Sequence, residues 1–181
     1  MALKSTIFKA NLQISDMDRH YYAHHTLTVA RHPSETDERM MVRLIAFARH
    51  AHEHLTFARG LSENDEPDVW QKDLTGAIDH WIEVGQPDEK RILKASGRAE
   101  QVTIYSYGGN STKLWWDGIH TRVTRLKNLT VIHLPESSSQ AITRLVQRNM
   151  ELNCVIQDGD LWLSNQHETI KVELSQLQGS C

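Results

Sequence analysis

Between Ser34 and Leu134 the apolar residues switch repeatedly between helical spacing and strand spacing, and this alternation constrains the fold more than any other property of the chain. Ser34, with Asp37 three residues on, makes a near capping box. Met41, Leu44, Ile45, Ala48, Ala51 and Leu55 then recur at helical spacing, which predicts a helix to about Phe57. A polar, acidic loop over Gly60 to Glu66 follows. Val69 to Lys72 and Ala77 to Val84 read as a short hairpin with Gly76 in its turn. Pro87, the acids Asp88 and Glu89, and Gly97 mark the two ends of a second helix. Gln101 to Tyr107 is a predicted strand, broken by Gly108-Gly109-Asn110. Thr112 to Lys127 is a third helix with Leu114, Ile119, Val123 and Leu126 inward, and Leu129 to Leu134 another strand. The order helix–strand–strand–helix–strand–helix–strand predicts an α/β fold with a mixed central sheet flanked by helices.

The two ends of the chain read as β-rich. Lys4 to Ser15 and Thr26 to Ala30 look like strands joined by a polar loop around Asp16 to His20. After a helix expected over Ser137 to Met150, the chain closes with a hairpin. Its strands are Asn153 to Gln157 and Asp160 to Ser164, around Asp158-Gly159, and Glu168 to Leu174 makes a last strand. These additional β-hairpins either extend the first sheet or form a second one. A length of 181 residues fits one domain over 1–181 better than two. A chain of that size buries roughly two-thirds of its unfolded surface and needs no disulfide or metal to fold.

Net charge is −3, which argues against a protein built mainly to coat nucleic acid, though a local basic patch is compatible with it. Cys154 lies in an apolar stretch and Cys181 ends the chain, a pattern that points to a reducing compartment. Met1 to Ile14 lacks an apolar segment of leader length, and no apolar run approaches the ~20 residues of a membrane span. The expected location is therefore cytoplasmic.

The chemistry concentrates between Pro67 and Lys94. Asp68 opens one predicted strand and Glu83 lies near the end of the next. Carboxylates on adjacent strands can hold a hard divalent ion such as Mg²⁺, which polarises a phosphodiester and acidifies bound water. Asp79 shares the face of Glu83, but at about 13 Å along the strand it is too distant to hold the same ion. Pro67-Asp68 followed by Glu83-Val84 resembles the PD-(D/E)XK nuclease superfamily, with restriction-endonuclease-like folds and a Glu-x-Lys on the second strand. Gly85 stands where that pattern has lysine. Lys90 and Lys94, with Arg91 beside them, lie on the following helix and can reach back, and Gln86 is a nearby polar substitute.

A wider set of residues is similar to the YaeQ family of bacterial proteins. It includes Ala30-Arg31-His32-Pro33-Ser34-Glu35-Thr36, Asp65-Glu66-Pro67, Trp81-Ile82-Glu83, Pro87-Asp88-Glu89-Lys90-Arg91-Ile92, Tyr105-Ser106-Tyr107, Trp115-Trp116 and Ile156-Gln157-Asp158-Gly159. The resemblance covers nearly the whole chain and implies a variant PD-(D/E)XK fold with no established activity. Two functional classes follow. In one, the fold serves as an interaction protein linked to nucleic acid or its machinery, with catalysis lost. In the other, the chain is a metal-dependent phosphodiesterase in which Asp68 and Glu83 hold Mg²⁺ and Lys90 or Lys94 replaces the missing lysine.

Other residues carry weaker signals. Glu35 and Glu38 open the first helix, where acids favour the dipole, and Glu38 is a further candidate acid. His50 and His54 share a helical face if the first helix runs to Phe57, but no third ligand accompanies them. His80 and His133 read as packed strand residues. Neighbours on a helix cannot both face the core, so one of Trp115 and Trp116 lies near the surface. With Arg122 and Arg125 on the same helix, Trp116 is a candidate for stacking on a base or meeting a protein.

Overall fold

A computed structural model describes residues 4–179. The chain divides into two compact units, Met1–Arg49 with Ser137–Glu173, and His50–Glu136 with Leu174–Cys181.

The first unit contains the mixed sheet β10-β9-β8-β1-β2. Strands β1 (Thr6–Asp16) and β2 (Tyr21–Arg31) are antiparallel, paired from Thr6↔Arg31 to Asp16↔Tyr21. Phe8, Ala10, Leu12 and Ile14 alternate inward, as the period of two demands. β8 (Asn149–Gln157) runs parallel to β1, and β9 (Asp160–Ser164) and β10 (Thr169–Val172) continue as antiparallel strands. The terminal hairpins thus form a sheet of their own. Helix α1 (Asp37–Arg49) is buried all round from Met40 to Ala48.

The second unit holds the sheet β11-β7-β6-β5-β4-β3. Strands β5 (Ile78–Val84), β6 (Ala99–Gly108) and β7 (Leu129–Pro135) are parallel. β3 (Leu55–Phe57), β4 (Val69–Lys72) and, at the other edge, β11 (Ser175–Gln178) are antiparallel to their neighbours. Helices α2 (Glu89–Arg98) and α3 (Asn110–Val123) make the two crossovers. Their Ile92, Ala95 and Val123 close a core over Trp81, Val102, Ile104, Leu129 and Val131.

Several boundaries differ from expectation. The first helix stops at Arg49, and Leu55–Phe57 is an edge strand paired with β4. Ala51 and Leu55 keep their inward positions through a turn, and the β-favouring Thr56 and Phe57 take the ladder that β4 offers. The helix expected over Ser137 to Met150 shrinks to α4 (Glu136–Ala141) and a 3₁₀ turn over Ile142–Leu145. The serine run stays helical, and the helix is cut short because the chain is already extended at Val146 and Asn149 and Met150 pair with β1.

Candidate functional site

The register Val69↔Ile82 sets Asp68, just before β4, opposite Glu83 on β5. Cross-strand partners have Cβ atoms about 4.5–5.5 Å apart, so the fold brings the two predicted carboxylates together. Both are buried, at 4% and 5% exposure. Asp68 Oδ2 accepts from the Val84 N–H at 2.8 Å. Gly60, at φ +49°, passes so close that a Cβ there would stand 2.7 Å from Asp68 Oδ1. Glu83 Oε1 accepts from Trp81 Nε1 at 3.0 Å and from Arg91 Nε at 2.6 Å. Burial raises the Glu83 carboxyl above its ordinary range; the Arg91 charge opposes this and the Asp68 charge adds to it.

The cation at the pair is therefore Arg91. The same guanidinium donates from Nη1 to the Asn64 carbonyl at 2.6 Å and from Nη2 to the Glu66 carbonyl at 2.9 Å. Lys94 instead pairs with Asp65 at 2.5 Å, which holds that exposed carboxyl below its usual range, and Lys90 is exposed. Gln86 donates to Thr112 Oγ1 at 3.0 Å and Ser111 Oγ at 3.3 Å. Gly85 has a backbone reason to be glycine. Its φ is +115°, a conformation that strains a lysine even though a Cβ would meet nothing within 4 Å.

A resident Mg²⁺ fits this arrangement poorly. It requires near-octahedral oxygen ligands at about 2.0–2.1 Å. Here one oxygen of each carboxylate already accepts N–H donors, and the guanidinium charge lies against Glu83. Among the described residues no three His, Cys, Asp or Glu side chains form a metal-holding group. A guanidinium also cannot take up a proton, so Arg91 is no general base.

The remaining candidates fall into separate places. Glu35, which precedes α1, is enclosed by Arg39 and Arg43 at 2.6 Å each. Glu38 accepts from Ser139 Oγ at 3.0 Å. Because α1 ends at Arg49, His50 and His54 are not helical neighbours. His50 Nε2 meets the Tyr105 hydroxyl at 2.6 Å, and its ring abuts His80 edge-on at 4.7 Å. Trp115 donates to the Pro87 carbonyl at 2.7 Å, whereas Trp116 lines a cleft of about 270 Å³ with Lys113, His133 and Leu177. Among the described residues the buried side-chain polar atoms lacking a partner are His120 Nδ1, one turn after Trp116 on α3, and Gln178 Oε1 at the end of β11.

His80 gives a pH prediction. It bonds Thr103 Oγ1 at 2.7 Å, and burial pushes its pKa from 6.5 down to about 4. The neutral ring is the folded form, so its stabilisation is complete above 6.5 and is lost as pH falls toward 4, by about 3 kcal/mol. Urea unfolding of wild type and His80→Gln at pH 7 and pH 4 should show a smaller acid loss in the variant. Equal losses would exclude His80 as the titrating group.

Three comparisons agree on kinship. The YaeQ protein family model matches residues 1–174. Uncharacterised YaeQ proteins of Escherichia coli K12 and Salmonella typhi are 41% identical over 178 residues, covering 98% of either chain. The crystal structure of YaeQ from Xanthomonas axonopodis pv. citri superposes with a TM-score of 0.94 at 46% identity, covering 97% of this chain and 99% of that one. That of YaeQ from Pseudomonas syringae gives 0.93 at 36% identity, covering 97% of each. On sequence and on structure alike, the chain belongs to the YaeQ family.

Proposed function

We propose that this chain is a non-catalytic interaction protein built on a restriction-endonuclease-like scaffold, acting in the cytoplasm on nucleic acid or its protein machinery. The observation that carries the reading is the cation at Glu83, a guanidinium that cannot accept a proton, while Lys94 pairs with Asp65 and Lys90 is exposed. Of the side chains that could take the lysine role, the one bonded to Glu83 is Arg91, not Lys90 or Lys94. The nuclease-like ancestry is supported by the Asp68–Glu83 juxtaposition across adjacent strands of a mixed sheet. A binding role draws support from the Trp116 cleft, whose lining combines this aromatic side chain with Lys113 and His133. No described helix is long and apolar enough to cross a membrane.

The second reading, a Mg²⁺-dependent nuclease or phosphodiesterase, is favoured by the completeness of the buried acid pair. A cleavage assay on single- and double-stranded DNA and RNA, with Mg²⁺ or Mn²⁺, separates the two. Wild type and Glu83→Ala should both stay at the background rate. Hydrolysis by wild type that disappears in Glu83→Ala would establish the nuclease.

A further inference from the structure

We infer that Arg91 is a built-in counter-cation: it takes the place of a divalent ion at the Asp68–Glu83 pair and straps the 59–66 segment to α2, so that the pair becomes a cation site once this one side chain is removed. The inference rests on the non-catalytic reading above and states what has replaced the metal.

Two buried carboxylates facing each other across a strand pair are not both tolerated as free anions, so either one takes a proton or a positive charge is set against them. Arg91 supplies that charge with Nε on Glu83 Oε1. The planar guanidinium fixes its donors in one fork. The contact to Glu83 and the contacts to the Asn64 and Glu66 carbonyls are therefore parts of one geometry.

The rest of α2 finishes the strap. Lys94 pairs with the Asp65 carboxylate, and Arg98 Nη1 donates to the Asp65 carbonyl at 2.9 Å. Arg59 closes the segment on itself through Glu66 at 2.8 Å. Gly60 permits the close passage over Asp68. The choice of Arg91 among the α2 cations is set by the start of the helix. Asp88 is the N-cap and accepts the Arg91 N–H at 2.8 Å, which fixes residue 91 in the first turn beside the end of β5.

The test uses the full chain, stripped of metal with a chelator, and Mn²⁺ as the probe, read by calorimetry and by thermal melting. Wild type should give no binding heat and no melting shift. Arg91→Gln should melt lower in chelator, bind one Mn²⁺, and gain roughly 5 °C or more at saturation. Arg91→Gln with Glu83→Gln should regain part of the lost melting temperature and ignore Mn²⁺. An Arg91→Gln protein no more responsive than wild type would overturn the inference. So would a double variant that responds as strongly as the single, or wild-type binding that Glu83→Gln abolishes.

Arg91→Lys covers the case in which Arg91→Gln does not fold. It keeps the charge without the fork, so it should remain indifferent to Mn²⁺, while cleavage after Glu63 by a Glu-specific protease accelerates severalfold. Wild-type cleavage rates in Arg91→Lys would remove the strap. The nuclease assay decides the functional reading separately, since Mn²⁺ can fail to bind Arg91→Gln whether or not the wild type cleaves nucleic acid.

Discussion

Glu35→Ala is expected to cost about 3–5 kcal/mol, the usual penalty for breaking a buried ion pair from one side. The Glu35 carboxylate is 2% exposed and takes Arg43 in a fork, Nε at 2.9 Å and Nη2 at 2.6 Å, with Arg39 Nη1 at 2.6 Å. Arg43 is 6% exposed and also donates from Nη2 to the Ala30 carbonyl at 3.0 Å. Without the carboxylate, a guanidinium charge is left buried beside the apolar residues of α1, where water cannot replace the lost partner. Replacing both partners, Glu35→Leu with Arg43→Met, should cost less than Glu35→Ala alone, because the more deeply buried guanidinium leaves with its carboxylate and only Arg39, 13% exposed, loses Glu35 as a partner. Urea unfolding of the three proteins measures both statements. A Glu35→Ala loss under about 1 kcal/mol, or a double variant no better than the single, would contradict this account. The result also bears on function, since it would confirm that this acid is committed to holding the start of α1 in place.

Trp81→Ala should cost about 3–5 kcal/mol, and Trp81→Phe about 1.5–3 kcal/mol. Trp81 is 2% exposed and is among the largest fully buried side chains. Its ring meets Trp70 edge-on at 6.2 Å and carries the Arg98 guanidinium at 5.0 Å. Its Nε1–H is one of the two donors to Glu83 Oε1. Alanine removes the packing and the donor together. Phenylalanine keeps most of the packing and removes a hydrogen bond to a buried charge. The difference between the variants separates cavity from hydrogen bond, provided the urea m-values agree. If phenylalanine were as costly as alanine, the carboxylate contact would dominate. A neutral phenylalanine would mean that Arg91 alone satisfies Glu83.

The middle of the fold was legible because its signals are local. Pro87 with the acids Asp88 and Glu89 at the start of α2, and the alternation through β5 and β6, each depend on a few adjacent residues. The end of α1 was not legible. Ala51 and Leu55 preserve helical spacing while the ladder that ends the helix comes from β4, about fifteen residues onward. The same reason hid the start of β8, whose partner β1 stands 140 residues earlier. β11, Ser-Gln-Leu-Gln, carries almost no apolar pattern and exists through its pairing with β7.

The site shows a similar division. Pro67-Asp68 and Glu83 were readable because a strand pair fixes their approach. The replacement for the missing lysine was not, because Lys90, Arg91 and Lys94 are near neighbours in sequence. Successive helical residues point about 100° apart, so a one-residue uncertainty in where α2 begins changes which cation meets Glu83. Asp88 as the capping residue is the signal that would have favoured Arg91. Gly85 read as a defect in a motif, whereas its positive φ makes it a backbone requirement.

The parallel pairing of β1 with β8 has a consequence for synthesis. The first unit takes its strands from both sides of the second, and the second takes its edge strand from beyond the first. On the ribosome, β1 and β2 emerge early, and β1 must wait for more than a hundred residues before its parallel neighbour appears. A nascent or truncated chain ending near Glu136 therefore shows one long edge of β1, ready to pair with another chain. Emergence of residues 149–178 is the event that allows both sheets to close, so translation products arrested before it should be strongly dependent on chaperones.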